Sequence, residues 1–224
     1  MQYAMHESDA DGGRLFECPE FTQRVQPLEG EHLDDRCDEV LYVLTGSGSA
    51  TIDGRVHELG PGTALFVARG TAWSATGDAR AVSVLVHDPA PAAATHAVVD
   101  LTAVQPGEAT AGREFLLGAT PDVGCASVTQ FIGLIPPGRA PDHFHRYDEV
   151  IYILEGEGAL HVEGEDEAPP LAPGACVHLP ARLVHSLENT GDRDMHLLGV
   201  FRPSGSPAEA YYPDGTPAAY PEES

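Results

Sequence analysis

This chain repeats itself at the scale of a whole domain. The stretch DEVLYVLTGSGSA at 38–50 matches DEVIYILEGEGAL at 148–160, an offset of 148 − 38 = 110. Further on, LGPGTALFVARGTAW at 59–73 answers LAPGACVHLPARLVH at 171–185, and the offset has grown to 171 − 59 = 112, so two residues enter in the turn between them. Gly77 with Gly191 and Pro89 with Pro203 extend the match at an offset of 114. A unit this long is a duplicated domain rather than a solenoid repeat, and 224 residues suffice for two domains of about 100 residues, each with a core.

Each unit consists of short β-branched and aliphatic runs, such as EVIYIL, ALHVEG and ACVHLP, cut by Gly, Pro and Asp turns. No segment carries a long amphipathic helical period, and 24 Gly with 19 Pro fit many short elements. In EVLYVL and EVIYIL both parities are apolar, so these strands are expected to be covered on both faces, as in a closed barrel or tight sandwich. The expected fold is all-β: two tandem barrels, residues 1–95 and 96–224, linked through PAPAAATH at 89–96.

The formal charge of −23, from 35 acidic against 12 basic residues, argues against nucleic acid and anionic membrane as partners and fits a solubility device. Cys18, Cys37, Cys125 and Cys176 stand far apart without a CxxC pair, as reduced thiols do. No leader pattern opens the chain and no apolar run approaches a membrane span, so a cytoplasmic location is expected. The last residues, PSGSPAEAYYPDGTPAAYPEES, read as an extended arm or frayed terminus.

The chemistry concentrates in the second unit. His143 and His145 are two apart, so on extended chain both imidazoles leave one face, and Glu149 keeps the same parity. His185 arrives on another strand behind the turn LPARLV. Three imidazoles and a carboxylate suit one divalent transition metal, Fe, Mn, Ni, Cu or Zn, and suit Mg or Ca poorly. An isolated histidine inside a barrel is usually a hydrogen-bonded core residue, and His161, His178 and His196 are read that way. Subtracting 110 places Leu33, Asp35 and Glu39 opposite His143, His145 and Glu149, and subtracting 112 places Trp73 opposite His185. On that register His32 and His57 fall outside the site, Trp73 fills it, and the first barrel is expected to be metal-free.

The stretches PPGRAPDHFHRYDEVIYILEG and PGACVHLPARLVHSLEN resemble the two motifs of the cupin superfamily. Gly138, His143, His145, Glu149 and Gly156 match the first motif, with a gap after Gly138 one residue shorter than usual. Gly174, Pro180, His185 and Asn189 match the second, with Arg182 where the family often has Gly. The resemblance implies a bicupin, two double-stranded β-helix (jelly-roll) barrels, with a complete metal set only in the second. That asymmetry is unlike a two-metal oxalate decarboxylase of the bicupin type. It further implies an enzyme acting on a small molecule, in first place an oxygenase or dioxygenase. An isomerase, epimerase, lyase or aminohydrolase is the alternative, as is a non-catalytic small-ligand-binding module. Glu149 is the candidate catalytic group, as a fixed ligand or a proton carrier. Tyr147 and Tyr152 are candidates for a hydrogen bond to substrate, although aromatic residues on strands usually serve packing, and Arg139 and Arg182 are candidates for a carboxylate clamp at the barrel mouth, although loop arginines are more commonly solvated. Monomer and homodimer both remain open, because fused barrels already supply the usual dimer contact.

Overall fold

A computed structural model of the chain describes residues 4–7 and 14–218. The first half contains β1 (Ala4–Glu7), β2 (Arg14–Glu17), β3 (Phe21–Pro27), β4 (Gly30–His32), β5 (Asp38–Thr45), β6 (Gly48–Ile52), β7 (Arg55–Leu59), β8 (Thr63–Val67), β9 (Trp73–Gly77) and β10 (Arg80–Val86). There follow β11 (His96–Asp100), β12 (Gly107–Glu108), β13 (Glu114–Leu117), β14 (Thr129–Ile135), β15 (Gly138–Arg139) and β16 (Asp148–Glu155). The chain closes with β17 (Gly158–Val162), β18 (Pro170–Leu171), β19 (Ala175–Leu179), β20 (His185–Asn189) and β21 (Met195–Arg202). The expected all-β architecture is present as two barrels, each made of one large and one small sheet.

The large sheets run β11-β8-β5-β10-β3-β2 and β1-β19-β16-β21-β14-β13-β12, and the small sheets run β4-β9-β6-β7 and β15-β20-β17-β18. Two strands pair against chain order. β1 adds to β19 of the second barrel, and β11, which follows the linker, adds to β8 of the first. Each half thus gives its leading strand to the other half's sheet, so a cut at residue 95 separates β11 from the sheet it completes.

Both-face burial of the central strands has a specific cause. On β16, Ile151 and Ile153 point into the second barrel's core with Leu160, Val177 and Leu197, whereas Val150 and Tyr152 point outward. Their outward face meets β5 and its neighbours, so Val40, Phe66, Val82, Val84, Val150, Tyr152 and Leu198 form one apolar layer between the two large sheets. Burying each such side chain contributes about 1.5–3 kcal/mol. A closed barrel alone does not explain the double parity; the partner barrel covers the second face.

Strand pairing also revises the repeat register. Asp38 opposes Val86 and Asp148 opposes Arg202, so the offset on the last strand is 202 − 86 = 116. Gly48 opposes Gly77 and Gly158 opposes Asn189, so Gly77 answers Asn189 at 189 − 77 = 112 rather than Gly191. The extra four residues lie in the β20–β21 turn, and the earlier two lie between β17 and β18. All four cysteines are free. Among the described residues no helix is long and apolar enough to cross a membrane.

Candidate metal centre

The expected histidines meet inside the second barrel. His143 forms a β-bridge with His185, with His143 N donating to His185 O at 3.0 Å and His185 N to His143 O at 2.8 Å. His145 follows two residues on, and one metal-binding atom from each of the three lies within 4.8 Å of the others. Among the described residues this is the one such convergence of His, Cys, Asp or Glu.

Their hydrogen bonds decide which nitrogen faces the centre. His143 Nδ1 lies 2.8 Å from Pro141 O, His145 Nδ1 2.8 Å from Glu209 O, and His185 Nδ1 2.9 Å from Leu183 O. A carbonyl only accepts, so each Nδ1 carries the proton and each Nε2 keeps its lone pair. Metal-binding imidazoles are commonly fixed this way. Burial pushes all three pKa values down, His145 to about 3 and His185 well below its usual value; the nearby Arg113 charge acts in the same direction on all three, and the neighbouring rings do so on His145 and His185. The cluster is therefore neutral at physiological pH and presents three convergent donors.

Glu149 lines the same cavity but stands apart from the three-histidine cluster. Its side chain leans toward Gly199, where an added Cβ would lie 2.9 Å from Oε1. Burial without a compensating hydrogen bond raises its pKa to about 8, so the group holds a proton at neutral pH. Tyr147 also lines the cavity, stacked on His145 at 4.7 Å and on Phe201 at 3.9 Å.

The other candidates lie elsewhere. Tyr152 is packed in the layer between barrels, because its parity along β16 is opposite to that of Glu149 and Ile151. Arg139 is exposed and pairs with Asp142 at 2.6 Å, with Nε donating to Ser186 Oγ at 3.3 Å. Arg182 is exposed at φ +68, and only its backbone N–H touches the site, donating to His145 O at 2.7 Å. That left-handed backbone explains why glycine is favoured at this turn. His161, His178 and His196 each sit beside a carboxylate, Glu188 at 2.7 Å, Asp148 at 3.5 Å and Glu155 at 3.7 Å, and none joins the cluster.

The cation in the cavity is Arg113, just ahead of β13. Its Nη2 donates to Leu187 O at 2.7 Å, and its side chain shares the cavity wall with the three histidines. Burial lowers its pKa to about 10, which leaves it charged at neutral pH. No motif or spacing marks it in the sequence. Most of the remaining wall is apolar, with Phe115, Phe131, Ile135, Ile151, Leu187 and Leu197, and Thr110 and Glu114 add polar groups. The cavity volume is about 70 Å³, far below the roughly 300 Å³ at which drug-sized sites begin.

The C-terminal segment roofs this cavity, as Pro207 and Ala210 are among its walls. The sequence leaves an extended arm and a frayed terminus both open here. The arm is folded back onto the barrel mouth as far as residue 218, and Tyr220 lies outside the described residues.

Fold and site together define a class: a duplicated all-β barrel protein with one three-histidine cluster deep in its second barrel. The cupin domain family matches residues 21–87 and 131–201, more than half of the chain, and the chain belongs to that family as a two-barrel cupin. Among curated proteins it is similar to the polyketide synthase CurC of Streptomyces cyaneus, 28% identical over 103 residues, 45% of this chain and 66% of that one. It is also similar to an oxalate-binding protein of Thermotoga maritima, 38% identical over 68 residues, 30% of this chain and 54% of that one. The matched stretches span less than two thirds of either relative. Among solved structures, protein Ylba of E. coli has a TM-score of 0.71 at 14% identity, covering 89% of this chain and 90% of that one. Oxalate decarboxylase of Bacillus subtilis has a TM-score of 0.68 at 15% identity, covering 84% and 69%. At such identities these two show the fold alone.

Proposed function

We propose that this bicupin is a metal-dependent enzyme whose single active site lies in the second barrel and acts on a small carboxylate- or enolate-bearing molecule. The observation that carries the reading is the set of three Nε2 lone pairs aimed at one another beside a buried guanidinium. Neutral donors packed this closely without hydrogens between them suit a cation, and the set fits Fe, Mn, Ni, Cu or Zn with Glu149 available as a fourth ligand. When bound, the metal supplies a Lewis acid that polarises a chelating oxygen.

The remaining work belongs to the chain. Arg113 holds the anionic end of the substrate, the apolar walls exclude water, and Glu149 holds or releases a proton inside the cavity. The size of the cavity favours molecules of a few carbons, in line with relatives named for oxalate. Oxygenase-type chemistry is the first class to test, since a largely apolar wall beside the three histidines suits dioxygen. A non-oxidative proton transfer, as in an isomerase or lyase, is the second, favoured by a carboxyl whose pKa lies near neutrality. The first barrel has no metal in this reading and supports the second.

Elemental analysis of protein purified without chelator tests the centre. One equivalent of Fe, Mn, Ni, Cu or Zn is expected, lost in the His143→Ala, His185→Ala double variant. Metal-free protein, or metal retained by the variant, overturns the reading. With oxalate as probe, Arg113→Ala is expected to weaken binding to the metal-loaded protein about 10- to 100-fold, the worth of a hydrogen bond to a charged group, at unchanged metal content. Substrate screens run with and without dioxygen then separate the two chemistries.

A further inference from the structure

Of the three clustered histidines, two are held by their own strand and one is not. His143 and His185 donate Nδ1–H to carbonyls two residues upstream, Pro141 and Leu183. His145 donates instead to Glu209 O, 64 residues further along the chain. The ring that depends on the C-terminal segment is also the one stacked on Tyr147, inside the cavity.

The segment that supplies this carbonyl is anchored just beyond Glu209. Phe144 N donates to Tyr211 O at 2.8 Å and Tyr211 N to Phe144 O at 3.0 Å, a two-bond β-bridge to the residue between the two ligands. Tyr211 stacks on Phe144 at 5.6 Å, lies under the Arg146 guanidinium at 3.9 Å, and donates its hydroxyl to Glu209 Oε1 at 2.7 Å. Beyond it the chain turns back on itself. Asp214 Oδ1 accepts from Thr216 N and Oγ1, Tyr212 N donates to Thr216 O, and Ala218 N returns to Ala210 O at 2.9 Å. Ala208, Ala210 and Ala218 are all buried beneath this turn.

We propose that residues 206–218 are a working part of the metal centre, a strap that positions His145 through the Glu209 carbonyl, so that metal affinity in the second barrel depends on it. The inference rests on the metal-site reading above. Losing the strap frees the His145 ring to rotate and to exchange tautomers, and removing an outer hydrogen-bond partner of a metal-binding histidine typically costs 10- to 100-fold in affinity.

The test is titration of Co(II) or Ni(II) into metal-free protein, comparing the full chain, a chain ending at Ala218 and a chain ending at Gly205. The first two are expected to bind one equivalent with the same affinity, and the third about 10- to 100-fold more weakly. His145→Ala should weaken the Gly205-terminated chain by a clearly smaller factor than the full chain, because the strap acts through that ring. Tyr211→Ala in the full chain keeps the length and loosens the bridge, and a smaller loss in the same direction is expected. A synthetic peptide of residues 206–218, added in trans, should restore part of the affinity of the short chain, which a misfolded barrel would not allow. Affinity within twofold between the full chain and a folded Gly205-terminated chain overturns the strap and leaves the metal reading standing. Failure of the full chain to bind either ion overturns the metal reading and the strap with it.

Discussion

Glu39 and Glu149 occupy the same place in the two barrels, and their surroundings differ in every hydrogen-bonding group. In the first barrel Glu39 accepts from Ser83 Oγ, from Gln26 Nε2 at 3.1 Å and from Arg24 Nη2 at 3.3 Å. Strand pairing identifies the counterparts. Ser83 opposes Leu41 as Gly199 opposes Ile151, Arg24 opposes Ser83 as Phe131 opposes Gly199, and Gln26 opposes Ala81 as Gly133 opposes Leu197. All three donors are replaced by Phe or Gly around Glu149, and burial alone governs its pKa. The same register places His32 at His143, since His32 opposes Trp73 as His143 opposes His185. Asp34 answers His145, because Gly70 N donates to Asp34 O as Arg182 N donates to His145 O. In the first barrel the Asp34 carboxylate is engaged elsewhere, and the His32 ring is stacked although its Nε2 has no hydrogen-bond partner among the described residues. His32 stacks on Trp73 at 4.1 Å, and Asp34 Oδ1 accepts from the N–H groups of Arg36 and Cys37. A carboxylate serves structure when donors surround it and is free for metal or proton chemistry when they are removed.

The most forceful way to break this contrast is to return one donor. Gly199→Ser installs the group that Ser83 provides in the first barrel. The new Cβ falls 2.2 Å from Phe131 Cε1 and 2.5 Å from Cζ, inside the contact distance of a buried ring that cannot bend. The ring must move toward the cavity, and overpacking of this kind costs typically 1–3 kcal/mol. The hydroxyl also offers Glu149 a bond that competes with the metal. Expected outcomes are a melting temperature several degrees lower and metal affinity reduced at least tenfold, read by thermal unfolding and by metal titration. An unchanged metal affinity would show that Glu149 is not needed at the centre.

The contrast also explains how much of this was legible in advance. The fold, the meeting of His143, His145 and His185, and the placing of Glu149 on the same cavity follow from short-range spacing, since two-residue steps on extended chain fix which side chains share a face. The register in the first barrel did not follow, because loops absorb insertions. The offset is 143 − 32 = 111 at the ligand stretch, one more than at β5, so Leu33 and Asp35 are not the counterparts of His143 and His145. Both are exposed, Leu33 at 66%. His32 and Asp34 are ligand types that survive, and Trp73 is the replacement that cannot bind metal. Tyr152 takes the packing role that strand aromatics usually have, and with both parities of β16 apolar the sequence does not say which of Tyr152 and its neighbours faces the cavity. Arg113 and the strap lie outside the matching stretches of the repeat, so no internal counterpart draws attention to them.

A smaller effect separates the barrels by pH. In metal-free protein the Glu149 pKa of about 8 lies above its unfolded value near 4.5, so the unfolded chain releases this proton first. The stability it contributes is complete below about pH 4.5 and declines as pH rises toward 8. The depressed histidines act oppositely, contributing above about pH 6.5 and losing stability as pH falls toward their folded values, about 3 for His145. Between about 6.5 and 8 the Glu149 slope is therefore left uncancelled, amounting to about 1–2 kcal/mol. Glu149→Gln should flatten the fall in melting temperature across that window. A fall of the same slope in Glu149→Gln protein would assign it to another group.

The gentlest comparison uses backbone alone. Gly70 and Arg182 hold the same turn, 182 − 70 = 112 residues apart, both with positive φ, +77 and +68. Each donates its N–H to the loop carbonyl that precedes the central strand, at 2.6 Å and 2.7 Å. A side chain in the left-handed region costs about 1–2 kcal/mol, and an added Cβ at Gly70 would meet no atom within 4 Å, so strain is the sole penalty there. Gly70→Ala should then destabilise the first barrel by about 1 kcal/mol. Arg182→Gly relieves the same strain in the second, but glycine also gives the unfolded chain more freedom, worth about 0.5–1 kcal/mol in the other direction. The net expectation is a gain of a few tenths of a kcal/mol, with metal affinity within twofold of the parent, because the N–H to His145 O is kept. A large loss of affinity on Arg182→Gly, read by the same titration, would mean that the guanidinium and not only the turn acts on the site.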